Sequence, residues 1–118
     1  MDRHKELKEL YKQMKPDMGI FIIRSKTNNK YHMQGTQNLN GVINGTLFRL
    51  NGGGHPNKEL QKEWIELGKD NFIVETLETL EYDKDESKTD YTDDLAIMCM
   101  EWEEKFDKEN LVAYKKRL

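Results

Sequence analysis

The spacing of hydrophobic positions along the chain predicts a mixture of helices and strands. Residues 1–16 carry apolar side chains three and four positions apart on an otherwise charged segment, which predicts an N-terminal helix that ends at Pro16. Short runs rich in β-branched and aromatic residues follow near 19–24, 30–34 and 72–77, and they predict three strands. A polar turn joins the first two runs, so these strands are expected to form a hairpin.

Helical spacing returns in the middle of the chain. The segment near 38–49 is rich in Gly and Asn, and each interior glycine weakens a helix by about 1 kcal/mol, so a short and irregular helix is expected there. From Asn57 to Leu67 the pattern predicts a clearer helix, and Gly68 is placed to end it.

The C-terminal third begins with an acidic stretch. Residues 81–94 hold seven acidic residues and two lysines, which indicates a solvated loop. Asp93 and Asp94 are expected to cap a long helix whose apolar stripe runs to Phe106. Residues 111–118 are expected to add a short terminal helix.

Composition limits the kind of protein. The 118 residues fit one domain, so 1–118 is expected to fold as a single unit. No apolar run approaches the ~20 residues of a membrane span, and the polar N-terminus has no signal-peptide core, so we expect a cytoplasmic protein without a membrane partner. The chain has one cysteine, which excludes an internal disulfide and a cysteine-cluster zinc site.

Charge is unevenly distributed along the chain. Residues 19–62 have a net charge of +5, whereas residues 63–118 have a net charge of −9. The basic segment is suited to phosphate, which makes its six cations candidate nucleic-acid contacts. The open alternative is that the two halves neutralise each other on one surface. The six candidates are Arg24, Lys26, Lys30, Arg49, Lys58 and Lys62.

Several motifs occur in a recognisable order. Gly19-Ile20-Phe21 lies on the first strand, and His32-Met33-Gln34 lies on the second. The stretch from Gly54 to Trp64 reads GHPNKELQKEW, and Gly68 and Leu77-Glu78 follow at fixed places. In this order and spacing the chain resembles the GIY-YIG endonuclease family over about residues 18–106.

The resemblance implies an α+β fold with a small three-stranded antiparallel sheet flanked by helices, to which this chain adds the N-terminal helix. It also implies a metal-dependent phosphodiester-cleaving site, but most of that site's residues are replaced here. The family's first tyrosine falls on Phe21, its second tyrosine on His32, its second-motif glycine on Gln34, its arginine on Val42, its helix histidine near Thr46 and its metal-binding glutamate on Cys99.

These replacements remove groups that the chemistry needs. Phenylalanine cannot act as a base, and valine cannot stabilise charge on phosphate. A thiol is a poor ligand for Mg²⁺. The sequence therefore predicts a non-catalytic domain without a cofactor, a regulatory module that binds nucleic acid or a protein.

The alternative is an active endonuclease with relocated residues and Mg²⁺ or Mn²⁺. Its base would be His32 or Tyr31, its phosphate clamp would be Arg24 or Arg49, and Glu103 would bind the metal. His55, which follows three glycines, is interpreted as a polar anchor for the loop before the helix at Asn57.

Overall fold

Four strands form one sheet in the computed structural model, which describes residues 15–114. The predicted helix over 1–16 lies almost entirely outside the described residues. The strands are β1 (Met18–Ser25), β2 (Lys30–Thr36), β3 (Phe72–Leu80) and β4 (Val112–Ala113), in the order β3-β1-β2-β4. β1 pairs antiparallel with both β2 and β3, as the hairpin and the family resemblance predict. β4 pairs parallel with β2 and extends the predicted three-stranded sheet.

Three α-helices surround the sheet: α1 (Leu39–Gly52), α2 (Lys58–Leu67) and α3 (Thr92–Lys108). The prediction of a short, irregular α1 is wrong, because the helix runs for 14 residues. The Asn38 side chain caps α1 by accepting from the Gly41 backbone N–H at 3.1 Å, and burial of Leu39 and Leu50 offsets the weak helix propensity of its glycines.

The helix α2 agrees with its prediction. The Asn57 side chain accepts from the Leu60 N–H at 3.1 Å, and Gly68 ends the helix with a positive φ of 81°.

The helix α3 begins at Thr92, one residue earlier than the predicted cap. Asp90 accepts from the Thr92 N–H at 3.0 Å, while Asp93 and Asp94 lie in the first turn.

The core has two halves, one on each face of the sheet. Phe21 and Ile23 of β1 point to α1 and α2, where they join Leu50 and Trp64. The alternate residues Ile20 and Ile22 point to α3. A single core containing Phe21, Trp64, Leu77 and Trp102 would be expected from the motif order, but Leu77 and Trp102 pack on the α3 side. The reason is the two-residue period of a strand, which sends neighbouring side chains to opposite faces.

The C-terminal segment closes the β2 edge of the sheet. The predicted helix from Leu111 is absent from the described part of that segment, which forms strand β4 instead. The backbone N–H of Val112 donates to Asn29 O at 2.7 Å, and the backbone N–H of Tyr114 donates to Tyr31 O at 2.8 Å. The buried Tyr114 hydroxyl donates to the Glu63 carboxylate of α2. Burial and Glu63 raise the pKa of Tyr114, so the hydroxyl remains a donor at neutral pH.

The acidic stretch leading into α3 is mostly exposed and contains local turns. Asp85 accepts from the Ser87 N–H at 3.0 Å, and Lys88 forms an ion pair with Asp94 at 2.8 Å. Tyr91 anchors the end of the stretch, because it is buried and its N–H donates to Gln37 at 3.0 Å. Within residues 15–114, no helix has both the length and the apolar character that crossing a membrane requires.

Candidate functional site

The first two motifs lie side by side on β1 and β2. Phe21 is opposite Gln34 and Ile23 is opposite His32, so Phe21, Gln34 and His32 all point toward α1 and α2. Gly19 keeps a structural role, because a Cβ there would collide with the backbone oxygen of Glu78 on β3. Phe21, Gln34 and His32 therefore share one face of the hairpin.

Phe21 is fully buried and shares one apolar cluster with Leu39, Leu50 and Trp64. The ring has no accessible surface, and it lacks the hydroxyl that a tyrosine would offer to a substrate. This position serves packing and cannot transfer a proton.

The helix α1 brings the next two positions over the same face. Val42 is partly buried against the Phe21 cluster, and Thr46 is buried. Both positions point at the core in this chain, where the family resemblance implies an arginine and a histidine. Because these two residues are uncharged, neither position supplies a cation to this face of the sheet.

His55 anchors the loop between α1 and α2, as its place after three glycines predicts. The backbone N–H of His55 donates to Gln61 Oε1 at 2.8 Å, and Gln61 Nε2 in turn donates to Leu50 O at 2.9 Å. His55 Nδ1 accepts from the Asn57 N–H at 3.0 Å, so in the neutral imidazole the proton resides on Nε2. Burial and the nearby Arg49 charge lower the pKa of His55, which keeps the ring neutral.

His55 also contacts His32, which the sequence reasoning missed. The two rings meet edge to face, with centroids 5.3 Å apart and planes at 87°. Gln61 joins the His55 backbone to Leu50 of α1, and this side-chain contact is not visible in the sequence. The two imidazoles lie on the face lined by Phe21, Gln34, Val42 and Thr46.

Cys99 and Glu103 lie on α3, which covers the other face of the sheet. A Cβ on Gly35 would lie 3.3 Å from the Cys99 Sγ, and Cys99 packs with the cluster around Ile20. Glu103 is exposed and raises the pKa of Tyr31, which points to α3, whereas His32 is the next residue of the strand and points to the opposite face. The structure therefore does not bring Glu103 together with His32.

Tyr31 belongs to the α3 side as well. It is buried under Phe106, with ring centroids 4.9 Å apart, and Arg24 is its neighbour across the hairpin. Burial, followed by the charges of Glu103 and Asp107, raises the pKa of Tyr31. A raised pKa and a buried hydroxyl make Tyr31 a poor base near neutral pH.

The donor set near His32 does not suit a hard cation. Mg²⁺ prefers carboxylate oxygens and water, whereas the groups beside His32 are the His55 imidazole and the Gln34 amide, and the carboxylates of Glu59 and Glu63 on this side are paired with Lys30. Across the described range 15–114, no three His, Cys, Asp or Glu side chains group in a way that could hold a metal ion.

The six predicted basic contacts do not form one patch. Lys30 forms ion pairs with Glu59 at 2.8 Å and Glu63 at 3.8 Å, and its hydrogen bond to Glu59 is the main cause that raises its pKa. Lys62 lies 4.0 Å from Glu66. Exposed Arg24 belongs to the strand face that α3 covers, and exposed Lys26 lies in the hairpin turn.

Arg49 and Lys58 are exposed on the α1 and α2 side of the sheet. Arg49 lies in the last turn of α1 and donates through Nε to Gly45 O at 3.4 Å, while Lys58 begins α2. Within residues 15–114 neither side chain makes an ion pair.

Comparison with known proteins supports the fold. The catalytic domain of the homing endonuclease I-TevI superposes with a TM-score of 0.63 at 21% identity, over 83% of this chain and 98% of that domain. A glutamate-to-alanine mutant of the same catalytic domain gives a TM-score of 0.62 at 20% identity, over 86% and 97% of the two chains. No family model and no curated protein matches the sequence. Because I-TevI is a GIY-YIG nuclease, the chain has a GIY-YIG nuclease-like fold.

Proposed function

We propose that this chain is a non-catalytic GIY-YIG nuclease-like domain that binds nucleic acid without cutting it and acts as a regulatory module. The observation that carries the proposal is the burial of Phe21. The residue at the position of the first tyrosine has no accessible surface and no hydroxyl, so the face that would hold the scissile phosphate is closed by the core.

The remaining catalytic positions support the same conclusion. Val42 supplies no charge for a phosphate in its transition state, and losing such a cation costs several orders of magnitude in rate. Cys99 and Glu103 face the opposite side of the sheet from His32, so neither completes a site with it.

The distribution of charge supports binding on the α1 and α2 side. The helix α1 contains Arg49 and no acidic residue, whereas α3, on the other face, contains six acidic and two basic residues. The two helices on the first side together carry three cations and three glutamates, so the sheet separates a nearly neutral side from a strongly acidic one. A polyanion approaches the first side and is repelled by the second.

An active nuclease is the second candidate, and the contact between His32 and His55 favours it. Two imidazoles on the face of the motif strands are suited to proton transfer near neutral pH. Its weakness is that the other relocated candidates, Tyr31, Arg24 and Glu103, lie on the α3 side.

Cleavage assays separate the two candidates. Plasmid, linear duplex and single-stranded DNA are incubated with the full chain at high concentration and with Mg²⁺ or Mn²⁺. We expect no cleavage above the background of a mock purification. Cleavage that is lost in Glu103→Gln or in His32→Ala would overturn the non-catalytic proposal, because a contaminating nuclease would be unaffected by either substitution.

Binding is tested separately by fluorescence anisotropy at low salt with labelled DNA and RNA. We expect weak, salt-sensitive binding. If the chain binds no DNA or RNA, the nucleic-acid proposal is wrong, and a protein partner takes its place.

A further inference from the structure

The outer edge of β2 is open along its second half. β4 pairs only with Lys30 and Tyr31, and the Tyr114 N–H donates to Tyr31 O at 2.8 Å, so the backbone groups of Tyr31 point outward. Residues two apart in a strand direct their N–H and C=O groups to the same edge, so those of Met33 and Gly35 point outward as well. Over the described range of the chain, no backbone hydrogen bond from another element reaches Met33 or Gly35 on this edge.

The opposite edge of the sheet, formed by β3, has features that discourage a further strand. The exposed Glu75 and Glu78 place charge along β3, and its pairing with β1 shifts register between Ile20 and Phe21, as at a β-bulge. Charged side chains and bulges are common means by which an edge strand avoids a further partner. From Tyr31 to Thr36, β2 carries no acidic residue, lysine or arginine, and it pairs with β1 without a register shift. The β2 edge therefore lacks both kinds of protection.

A cleft of about 380 Å³ lies beside this open edge, between the end of β2 and the first half of α3. A Cβ on Gly35 would lie 3.2 Å from the Leu95 Cβ and 3.3 Å from the Cys99 Sγ, so this position of the strand faces α3. Paired residues of neighbouring strands direct their side chains to the same face, so an added residue opposite Gly35 would direct its side chain toward the cleft. The helix side of the cleft is uncharged and suits an aliphatic side chain; it consists of Thr92, Leu95, Ala96 and Cys99.

The next position along the edge is next to an acidic group. The helix α3 runs along β2, because Cys99 is beside Gly35 and the Phe106 ring lies 4.9 Å from the Tyr31 ring. Glu103 follows Cys99 by one helical turn on the same face, and its side chain is exposed. The helix as a whole contains six acidic and two basic residues. An added residue two positions from the one opposite Gly35, toward β4, therefore meets negative charge, which favours a cation there.

We propose that the open edge of β2 binds an extended segment of a partner protein, in which an aliphatic side chain fills the cleft beside Gly35 and a lysine or arginine two residues away faces Glu103. Backbone hydrogen bonds to Met33 and Gly35 hold the segment, while the cleft and the acidic helix select its sequence. Pairing with a second copy through β2 would bring two acidic α3 helices side by side, so a basic partner is favoured over self-association. This interaction is independent of the nucleic-acid binding proposed above.

The probe is an end-blocked peptide of sequence Thr-Lys-Thr-Val-Thr-Lys-Thr, which reads the same in both directions and so fits either strand orientation. Its binding to the isotope-labelled full chain is followed by NMR at millimolar peptide. We expect the amide resonances of Met33 and Gly35 to shift and their hydrogen exchange to slow. The control peptide Thr-Glu-Thr-Val-Thr-Glu-Thr should bind about tenfold more weakly, because each lysine that gains from the acidic helix is replaced by a repelled glutamate.

Ala96→Phe and Ile97→Phe form a matched pair of variants on α3. Ala96 lines the cleft, whereas the neighbouring Ile97 is 56% exposed and lies outside the lining. A phenyl ring at position 96 fills the cleft, so Ala96→Phe should weaken peptide binding about tenfold, as expected from losing the burial of one valine side chain. Ile97→Phe should leave peptide binding unchanged.

Several results would overturn the proposal while leaving nucleic-acid binding in place. Slow exchange of the Met33 and Gly35 amides in the chain without peptide would show that this edge is already paired. Absence of peptide binding, equal binding of the two peptides, or equal effects of the two variants would contradict recognition by the cleft and the acidic helix.

Discussion

At the position of the first tyrosine, Phe21 shares a buried cluster with Leu39, Leu50 and Trp64, and the neighbouring Val42 packs on the same cluster. These apolar side chains make this face part of the core. The two histidines at its margin remain, and His55 is used as a loop anchor. A nuclease-like backbone is thus retained with the interior of an ordinary domain.

The substitution Phe21→Tyr adds one hydroxyl group to this face and tests whether the face is part of the apolar core. The added hydroxyl enters a fully buried apolar site, so we expect a loss of about 1–3 kcal/mol in the free energy of unfolding and no gain of cleavage. Urea denaturation measures the loss, and the DNA cleavage assay measures activity. Unchanged stability would show that the hydroxyl finds a hydrogen-bond partner, which means that this face has kept its polar architecture.

Among the elements, β4 and Tyr114 connect the end of the described chain to the hairpin and to α2. Glu63 accepts from Tyr114 and from Asn28, whose Nδ2 lies 3.2 Å away, and it lies 3.8 Å from Lys30. This partly buried polar cluster joins three separate segments of the sequence, the hairpin, α2 and the C-terminal strand, so its bonds stabilise tertiary structure rather than one element.

Tyr114→Phe removes one bond of that cluster without changing the ring. A buried hydrogen bond to a charged group contributes about 1.5–3 kcal/mol, so we expect a destabilisation of that size in urea denaturation. Tyr82→Phe is the control, because Tyr82 donates to Pro16 O at 2.6 Å in an exposed setting, where the loss should be about 0.5–1 kcal/mol. Equal losses for the two variants would contradict a stabilising role for the cluster.

The sequence was informative where local signals decide the element. The β-branched runs predicted β1 and β3, and Asn57 and Gly68 predicted the bounds of α2. It failed where distant contacts decide. The glycines of α1 are outweighed by the burial of Leu39 and Leu50, and β4 exists because Val112 meets Asn29 across the fold.

For the site, too, the sequence was informative about local features and failed where distant contacts decide. Motif spacing identified Phe21 and His32 on neighbouring strands, but it could not show that Glu103 lies across the sheet from His32. The charge pattern made Lys30 a candidate phosphate contact, whereas the fold places a Glu59 carboxylate oxygen 2.8 Å from the Lys30 ammonium group.

At the scale of residues 15–114, the strongly acidic α3 lies on one face of the sheet and the nearly neutral pair α1 and α2 lies on the other. Cations of the α1 and α2 side can meet a polyanion only if the acidic α3 points away from it. Binding is therefore expected in one orientation, with Arg49 and Lys58 nearest the ligand.

The double variant Arg49→Ala/Lys58→Ala tests this orientation. Loss of two phosphate contacts should reduce the slope of log affinity against log salt by about 1.4 on a single strand. The control is Lys84→Ala/Lys108→Ala, which removes the same charge from the acidic side. Anisotropy titrations at several salt concentrations measure both slopes, and an equal reduction in the two variants would show that binding follows net charge alone.

The position of β4 also fixes an order of events during synthesis. The backbone groups of Asn29 and Tyr31 that bind Val112 and Tyr114 are translated about 80 residues before their partners. Until the last of these residues leaves the ribosome, the outer edge of β2 has no strand beside it, and Glu63 lacks its tyrosine. A nascent chain therefore carries an open sheet edge until residue 114 has emerged, a period in which edge pairing with another nascent chain competes with completion of the fold.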